Sequence, residues 1–203
     1  MKILALLSLV VTLLVPAAAP AALEESAQRL VKTTTERVLQ VVKDRGEQLR
    51  DDPGELYRLV DEIILPHFDF ERMSRDVLRR HWDEADAEQR RRFVEEFKSL
   101  LVRTYAKALT EYSDQSVEYL PLEDERADNR VTVRTEIRQE GGYPIPISYS
   151  MYKPESHWLV YDVTIDGVSL VKNYRSAYRA QIRRGGLDRL ITMLAERNQS
   201  AGR

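Results

Sequence analysis

Histidine is the residue type with the widest chemical use in this sequence, because imidazole serves as a metal ligand or as a general base. His67, His81 and His157 are 14 and 76 residues apart. No two have the spacing of three or four residues that places two ligands on one turn of a helix. The chain has no cysteine, which excludes thiolate ligands and cysteine nucleophiles, and no glycine-rich phosphate-binding loop. The sequence therefore predicts no metal site and no bound cofactor.

Asp162 is the one candidate for acid–base chemistry. It lies between Tyr161 and Val163 in the most apolar strand-like segment, where burial would raise the pKa of its carboxyl group. A single carboxylate without a recognisable partner is more often a strand residue paired with Arg or Lys on the polar face of a sheet. An acid–base enzyme with a cone-shaped apolar pocket that uses Asp162 therefore remains the alternative function.

The part of the chain that precedes the strand-like segments, about residues 22–112, has apolar residues at helical spacing. We predict helices over residues 23–49, 53–64, 69–78 and 87–108. Asp52 precedes a proline at the first helical position. Asp86 and Gln89 form a capping box. These caps indicate where the second and fourth helices begin.

After Tyr112 the period of the apolar residues changes from 3.6 to 2, which indicates strands. We predict strands over residues 117–120, 131–138, 145–152, 158–165 and 168–171. Short turns favour an antiparallel meander within about residues 115–172. Helical spacing returns on either side of Gly185-Gly186, over about residues 174–197.

The predicted fold class is α+β, with an N-terminal helical half packed against a twisted antiparallel sheet and C-terminal helices. Residues 22–203 are expected to form a single compact domain. Residues 158–171 are apolar on both alternating faces, so both sides of this part of the sheet need cover. A helix can cover one side, and the other needs a second helical layer, a partner or a ligand. The residues alone leave open whether the protein has a ligand cavity or a filled core.

The first residues have the order of a signal peptide. Met1-Lys2 is followed by 13 uncharged residues and then by the small residues of segment 16–22. The uncharged run is shorter than the ~20 residues of a membrane-spanning helix. We predict a signal peptide of residues 1–21 cleaved near Ala21, with an uncleaved N-terminal anchor as the alternative.

Composition and charge limit the function classes further. The 203 residues include 31 Lys and Arg and 33 Asp and Glu, a net charge of −2, and 43% are hydrophobic. This composition is typical of a globular protein with a core. It provides no overall positive field of the kind that nucleic-acid-binding proteins use. Nucleic acid is therefore not an expected partner.

Five segments together resemble the MlaC or toluene-tolerance family of periplasmic phospholipid-binding proteins. They follow one another in the order of that family and extend over nearly the whole chain after the predicted signal peptide. The most specific segment is WLVYDVTIDGVSLVKNYR, residues 158–175. The others are LPHFDF at 65–70, Trp82 with residues 85–97, LLVRTYAKAL at 100–109, and residues 186–194. The chain departs from the family at Arg79, where relatives usually have glycine.

The resemblance implies a carrier of the Gram-negative periplasm and no enzymatic activity. Such a protein moves glycerophospholipids between an outer-membrane lipoprotein–porin complex and an inner-membrane ABC transporter with an MCE-domain subunit, which maintains the lipid asymmetry of the outer membrane. The implied fold is a twisted antiparallel sheet with helices around a cavity that takes the acyl chains and leaves the headgroup outside.

Two sets of residues are expected to serve this function. Those expected to contact the lipid are Phe70, Met73, Tyr105, Ile147, Tyr149, Met151, Trp158, Tyr161 and Val163. Those expected to flank the mouth of the cavity and to dock partners are Arg134, Arg138, Lys153, Arg175 and Arg179. No cluster that would recognise a headgroup is visible in the sequence, so we expect little headgroup preference.

Overall fold

A computed structural model of the protein describes residues 19–111, 115–122 and 129–200, and the side chains of the first helix from Ala27 onward. The predicted signal peptide lies mostly outside these residues, and its cleavage near Ala21 stays a prediction. In the N-terminal part the described residues form α1 (Ala19–Asp51), α2 (Pro53–Ile63), α3 (Phe70–Leu78), α4 (Arg80–Glu84) and α5 (Ala87–Thr110). A 3₁₀ turn, Leu65–His67, connects α2 to the segment before α3.

Aspartate side chains begin three of these helices. The Asp52 side chain accepts a hydrogen bond from the backbone N–H of Glu55 at 3.1 Å, and α2 has Pro53 at its start. Asp86 and Gln89 form the reciprocal capping box predicted for α5, with hydrogen bonds of 2.8 and 3.1 Å. The Asp69 side chain caps α3 by accepting the backbone N–H of Arg72 at 2.8 Å. The predicted starts are confirmed because a cap depends on local chemistry that the sequence displays.

The strands form one antiparallel sheet in sequence order. They are β1 (Ser116–Tyr119), β2 (Arg130–Arg138), β3 (Ile145–Tyr152), β4 (Leu159–Ile165) and β5 (Val168–Ser169). The α+β fold class and the meander are therefore confirmed. The register between β3 and β4 shifts once, because Ser150 pairs with Asp162 whereas Met151 pairs with Val160. Tyr161 is the extra residue of a bulge.

The C-terminal region differs from the prediction at its start. Residues 170 and 171, predicted as strand, begin α6 (Leu170–Ser200), which follows β5 directly. The predicted break at Gly185-Gly186 is a kink inside α6, where Gly186 has φ of +78°. Glycine has no Cβ and adopts this backbone conformation without strain.

Helices cover one face of the sheet. Val131 and Val133 on β2 are 4% and 0% exposed, whereas Thr132 and Arg134, which alternate with them, keep partial exposure. The expectation that both faces of residues 158–171 need cover is wrong. The bulge at Tyr161 changes the alternation within β4, and the last two residues of the segment are helical.

The buried apolar residues form two separate clusters. The sheet-side cluster joins α3, α5, α6 and the sheet, with Met73, Phe93, Phe97, Val133, Met151 and Ile191 among its members. The helix-side cluster consists of Val38, Val42, Leu49, Leu56, Leu59, Val60, Ile63 and Ala106. It joins the second part of α1 to α2 and to the end of α5.

Candidate functional site

An apolar cavity of about 360 Å³ lies between the two clusters. Met73 and Val163 of the sheet-side cluster contribute to its wall, and so do Val38 and Val60 of the helix-side cluster. The volume falls within the ~300–1,000 Å³ typical of small-molecule sites. The cavity therefore occupies the place where the two clusters would otherwise meet.

Alternating strand residues form one wall. Ile147, Tyr149 and Met151 of β3 line the cavity together with Val160, Val163 and Ile165 of β4. Val160 and Val163 are three residues apart and still share a face, because the bulge at Tyr161 adds one residue between them.

Helices form the opposite wall. Leu30, Thr34 and Val38 of α1 line the cavity at intervals of four residues, and residues 101–109 of α5 include six more that line it. The nine residue steps of helix from Leu30 to Leu39 correspond to ~13 Å, and the five residues of β3 from 147 to 151 also span ~13 Å. These lengths are close to the ~15 Å of hydrocarbon in one leaflet of a bilayer.

None of the described residues that line the cavity is an aspartate, glutamate, lysine or arginine. Burial raises the pKa of Tyr149 to about 12. Burial, and then the neighbouring Tyr174, raise the pKa of Tyr105 to about 12. Burial lowers the pKa of His67, and the nearby His157 lowers it further. The lining is therefore uncharged at neutral pH, and it can shelter hydrocarbon.

Seven of the nine residues expected to contact the lipid line this cavity. They are Phe70, Met73, Tyr105, Ile147, Tyr149, Met151 and Val163. Their contact with a lipid stays a prediction. Trp158 and Tyr161 are not among the described residues of the lining, and the structure places them elsewhere.

Tyr161 and Trp158 have other neighbours. The Arg72 guanidinium lies 4.2 Å from the centre of the Tyr161 ring and 3.9 Å from that of Tyr152. The bulge explains this position, since an unbroken alternation would have placed Tyr161 on the same face as Val163. Trp158 precedes β4 and is 5% exposed within the sheet-side cluster.

Asp162 begins α6. Ser169 Oγ donates a hydrogen bond to its Oδ2 at 2.5 Å, and the Val171 N–H donates to its Oδ1 at 3.1 Å. The Lys172 N–H in turn donates to Ser169 Oγ at 3.1 Å. Asp162 is not among the described residues of the cavity lining. Its carboxylate therefore caps a helix, which differs both from a general acid or base and from the expected pairing with Arg or Lys.

The five basic residues expected around the mouth do not lie together. Arg138 ends β2 and forms ion pairs with Glu118 and Glu136. Lys153 follows β3 at the opposite end of the sheet, where Tyr152 pairs with Arg130. The eight residue steps of β2 separate these ends by ~26 Å. One mouth cannot be flanked by both, and a docking role for any of the five stays a prediction.

The other three expected docking residues have different environments. Arg175 is half-buried, and its Nε donates to the backbone oxygen of Asp76 on α3 at 2.8 Å. Arg134 Nη2 donates to the backbone oxygen of Pro121 at 3.2 Å. Arg179 is exposed on α6.

Much of the lining comes from residues of α1 and α5 that were not among the expected lipid-contacting residues. Leu30, Val31 and Val38 belong to an apolar stripe that the sequence shows. A stripe indicates a buried face but carries no sign of whether that face meets another helix or a cavity.

Two further observations concern the described residues only. They contain no group of three or more His, Asp or Glu that could hold a metal ion. Of their helices, none combines the length and the apolarity needed to cross a bilayer.

The chain is similar to known proteins whose names or ligands concern phospholipids or toluene tolerance. A model of the MlaC protein family matches residues 32–196. The chain is 28% identical over 177 residues to the "Intermembrane phospholipid transport system binding protein MlaC" of Haemophilus influenzae, covering 85% of this chain and 82% of that one. It is 28% identical over 162 residues to the "Toluene tolerance protein ttg2D" of Pseudomonas putida, covering 78% and 74%.

A solved structure is also similar. It is the phospholipid-binding protein from Ralstonia solanacearum in complex with a phospholipid, with a TM-score of 0.81 and 34% identity. The match covers 88% of this chain and 99% of that chain.

Proposed function

The chain belongs to the MlaC family, and from this premise we propose that it binds glycerophospholipids by their acyl chains and carries them through the periplasm of a Gram-negative cell. It acts as a carrier and not as an enzyme. A phospholipid is present in the similar structure from Ralstonia solanacearum, and the relative from Haemophilus influenzae is named for intermembrane phospholipid transport.

The uncharged lining of the cavity is the observation that carries this proposal. Burying hydrocarbon is worth ~0.8 kcal/mol per methylene, so leaving about four methylenes of a tail in water costs about 3 kcal/mol relative to the bilayer. A carrier must therefore enclose almost the whole tail. The cavity walls are ~13 Å long, close to the ~15 Å depth of one leaflet, which supports this proposal.

Adjacent residues on opposite faces of β3 provide the test. Ile147 lines the cavity, whereas Ser148 pairs with Arg134 and is not among the described lining residues. We expect Ile147→Asp to lower the phospholipid that co-purifies with the protein about tenfold or more, because a carboxylate would be buried against hydrocarbon. Ser148→Asp, the matched control, should keep the wild-type load.

The load is measured by organic extraction and lipid mass spectrometry, with circular dichroism to show that both variants fold. Wild-type protein that contains no phospholipid after expression in membrane-rich cells would contradict the proposal. So would equal loads in the two variants.

The proposed partners are an outer-membrane lipoprotein–porin complex and an inner-membrane ABC transporter with an MCE-domain subunit. In this role the protein would help to maintain the lipid asymmetry of the outer membrane. Arg179 is the candidate docking residue best suited to a test, because it is exposed and because Arg175 is engaged with Asp76. Charges at a docking surface affect the encounter rate more than the final affinity.

We expect Arg179→Glu to slow lipid transfer to a reconstituted partner complex several-fold at 0.01 M salt, where the Debye length is ~30 Å, and less at higher salt. The bound lipid should remain. Lys43→Glu, the same charge change at an exposed position on α1, serves as the control. Equal rates and equal salt dependence in both variants would place the docking surface elsewhere.

A further inference from the structure

A second, polar cleft lies between α2 and α5. Its volume is about 260 Å³, and its lining includes Tyr57, Arg58 and Asp61 of α2 with Lys98, Ser99 and Arg103 of α5. Leu65 and Val102 line both this cleft and the apolar cavity. A group in the cleft is therefore one side-chain layer away from a ligand in the cavity.

The charge in this cleft is unbalanced. Three of its described lining residues are cations, Arg58, Lys98 and Arg103, and one is a carboxylate, Asp61. Lys98 Nζ lies 3.4 Å from Asp61 Oδ1. Arg58 Nη2 lies 3.9 Å from Asp52 Oδ2. These pairs leave Arg103 without a carboxylate among the described residues of the cleft.

Arg103 is held in position but keeps an unused donor. Its Nε donates to Ser99 Oγ at 3.3 Å, and its guanidinium carbon lies 5.1 Å from the centre of the Tyr57 ring. Its Nη1 is buried and has no hydrogen-bond partner among the described residues. A buried donor without a partner is unfavourable, and a guanidinium is suited to a phosphate oxygen.

We propose that this cleft is a phosphate subsite, in which Arg103 and Lys98 bind a phosphate group. One source of the phosphate is the phosphodiester of a lipid whose tails occupy the cavity. This source rests on the proposed function. The other is free phosphate from solution. In the first case the protein recognises the headgroup phosphate, contrary to the expectation that nothing in the chain reads the headgroup.

The experiment compares two ligands with the same acyl chains, a phosphatidylglycerol and the corresponding diacylglycerol, for binding to lipid-free full-length protein. We expect the wild type to prefer the phospholipid about tenfold, as charge-assisted hydrogen bonds to one phosphate would give. Arg103→Gln and Lys98→Gln should lose most of this preference. Lys107→Gln, at an exposed position on α5 outside the cleft, should keep it.

A titration with inorganic phosphate distinguishes the two sources. If the cleft holds the lipid phosphate, inorganic phosphate binds to lipid-free protein and is excluded from protein loaded with phosphatidylglycerol. If it holds free phosphate, both forms bind it, and Arg103→Gln abolishes that binding. Urea unfolding in the absence of ligand is a separate readout. Arg103→Gln should be at least as stable as the wild type, because it removes the buried donor without a partner.

The proposal is overturned if the wild type binds both ligands equally and binds no inorganic phosphate, or if Arg103→Gln retains the full preference. Either result leaves lipid carriage intact, since the tails still bind. Failure of the wild type to bind either diacyl ligand would instead contradict the proposed function.

Discussion

Arg79 has a backbone conformation that favours glycine. It ends α3 and precedes α4 with φ of 54° and ψ of −125°. For a residue with a Cβ such a conformation costs about 1–3 kcal/mol, and the 3.6 Å ion pair with Asp76 is exposed and adds little. This is also the position where the sequence departs from the glycine of the family it resembles.

We expect Arg79→Gly to raise the free energy of unfolding by about 1 kcal/mol, because strain is relieved and only part of the gain is lost to the greater entropy of glycine in the unfolded chain. Arg80→Gly, at the first position of α4, has no such strain to relieve and should be neutral or destabilising. Urea unfolding measures both. A destabilised Arg79→Gly variant would show that the strained backbone has no cost here.

Single residues also show why part of the site was predictable. Ile147, Tyr149 and Met151 alternate in a regular strand, so their shared face follows from the period alone. The same rule places Tyr161 on the face of Val163, and the rule fails there because a bulge adds one residue to β4. Trp158 precedes β4 and lies in the sheet-side cluster. A bulge depends on how two strands pair and has no marker within one of them.

Among the elements, α6 is stabilised at its start by a side chain from the strand on the other side of the preceding hairpin. Asp162 lies on β4, seven residues before Ser169, and its carboxylate accepts hydrogen bonds from both Ser169 and the Val171 N–H. Ser169, just before α6, is a local cap that accepts the Lys172 N–H. The apolar alternation of residues 168–171 nevertheless indicates a strand, and the carboxylate that adds to this cap is not adjacent in sequence. Helices α2 and α5 were predictable because their caps are local.

We expect Asp162→Ala to lower the free energy of unfolding by about 1–2 kcal/mol through loss of this cap. Asp162→Asn should cost much less, because an amide oxygen can still accept the Val171 N–H. Both variants should carry the wild-type amount of lipid. Thermal unfolding and lipid mass spectrometry check the two effects. Loss of lipid transfer in Asp162→Asn with the load unchanged would support the acid–base alternative.

At the scale of the whole molecule, the fold class, the order of the elements and the antiparallel sheet followed from the change of apolar period near Tyr112. The cavity could not be predicted in this way, because an apolar stripe on α1 or α5 has the same sequence pattern whether it packs against a helix or against a ligand. Only the assembled structure shows that the helix-side cluster and the sheet-side cluster are separate.

A bound acyl chain would contact both clusters, so lipid should stabilise the folded state. At a free ligand concentration of 100 times Kd the gain is about 2.7 kcal/mol. We therefore expect extraction of the lipid to lower Tm by about 5–10 °C. Ile147→Asp, which should carry little lipid, should show almost the same Tm before and after extraction. A wild-type Tm that does not change on extraction would mean that the lipid does not bridge the clusters.

The divided core has a consequence for the cell. If cargo completes the contact between the clusters, an unloaded molecule opens more often than a loaded one, and proteases cleave chains in proportion to the time they spend open. In the proposed periplasmic location, proteolysis would then remove empty molecules first. The abundance of the protein would follow the supply of lipid without any change in gene expression.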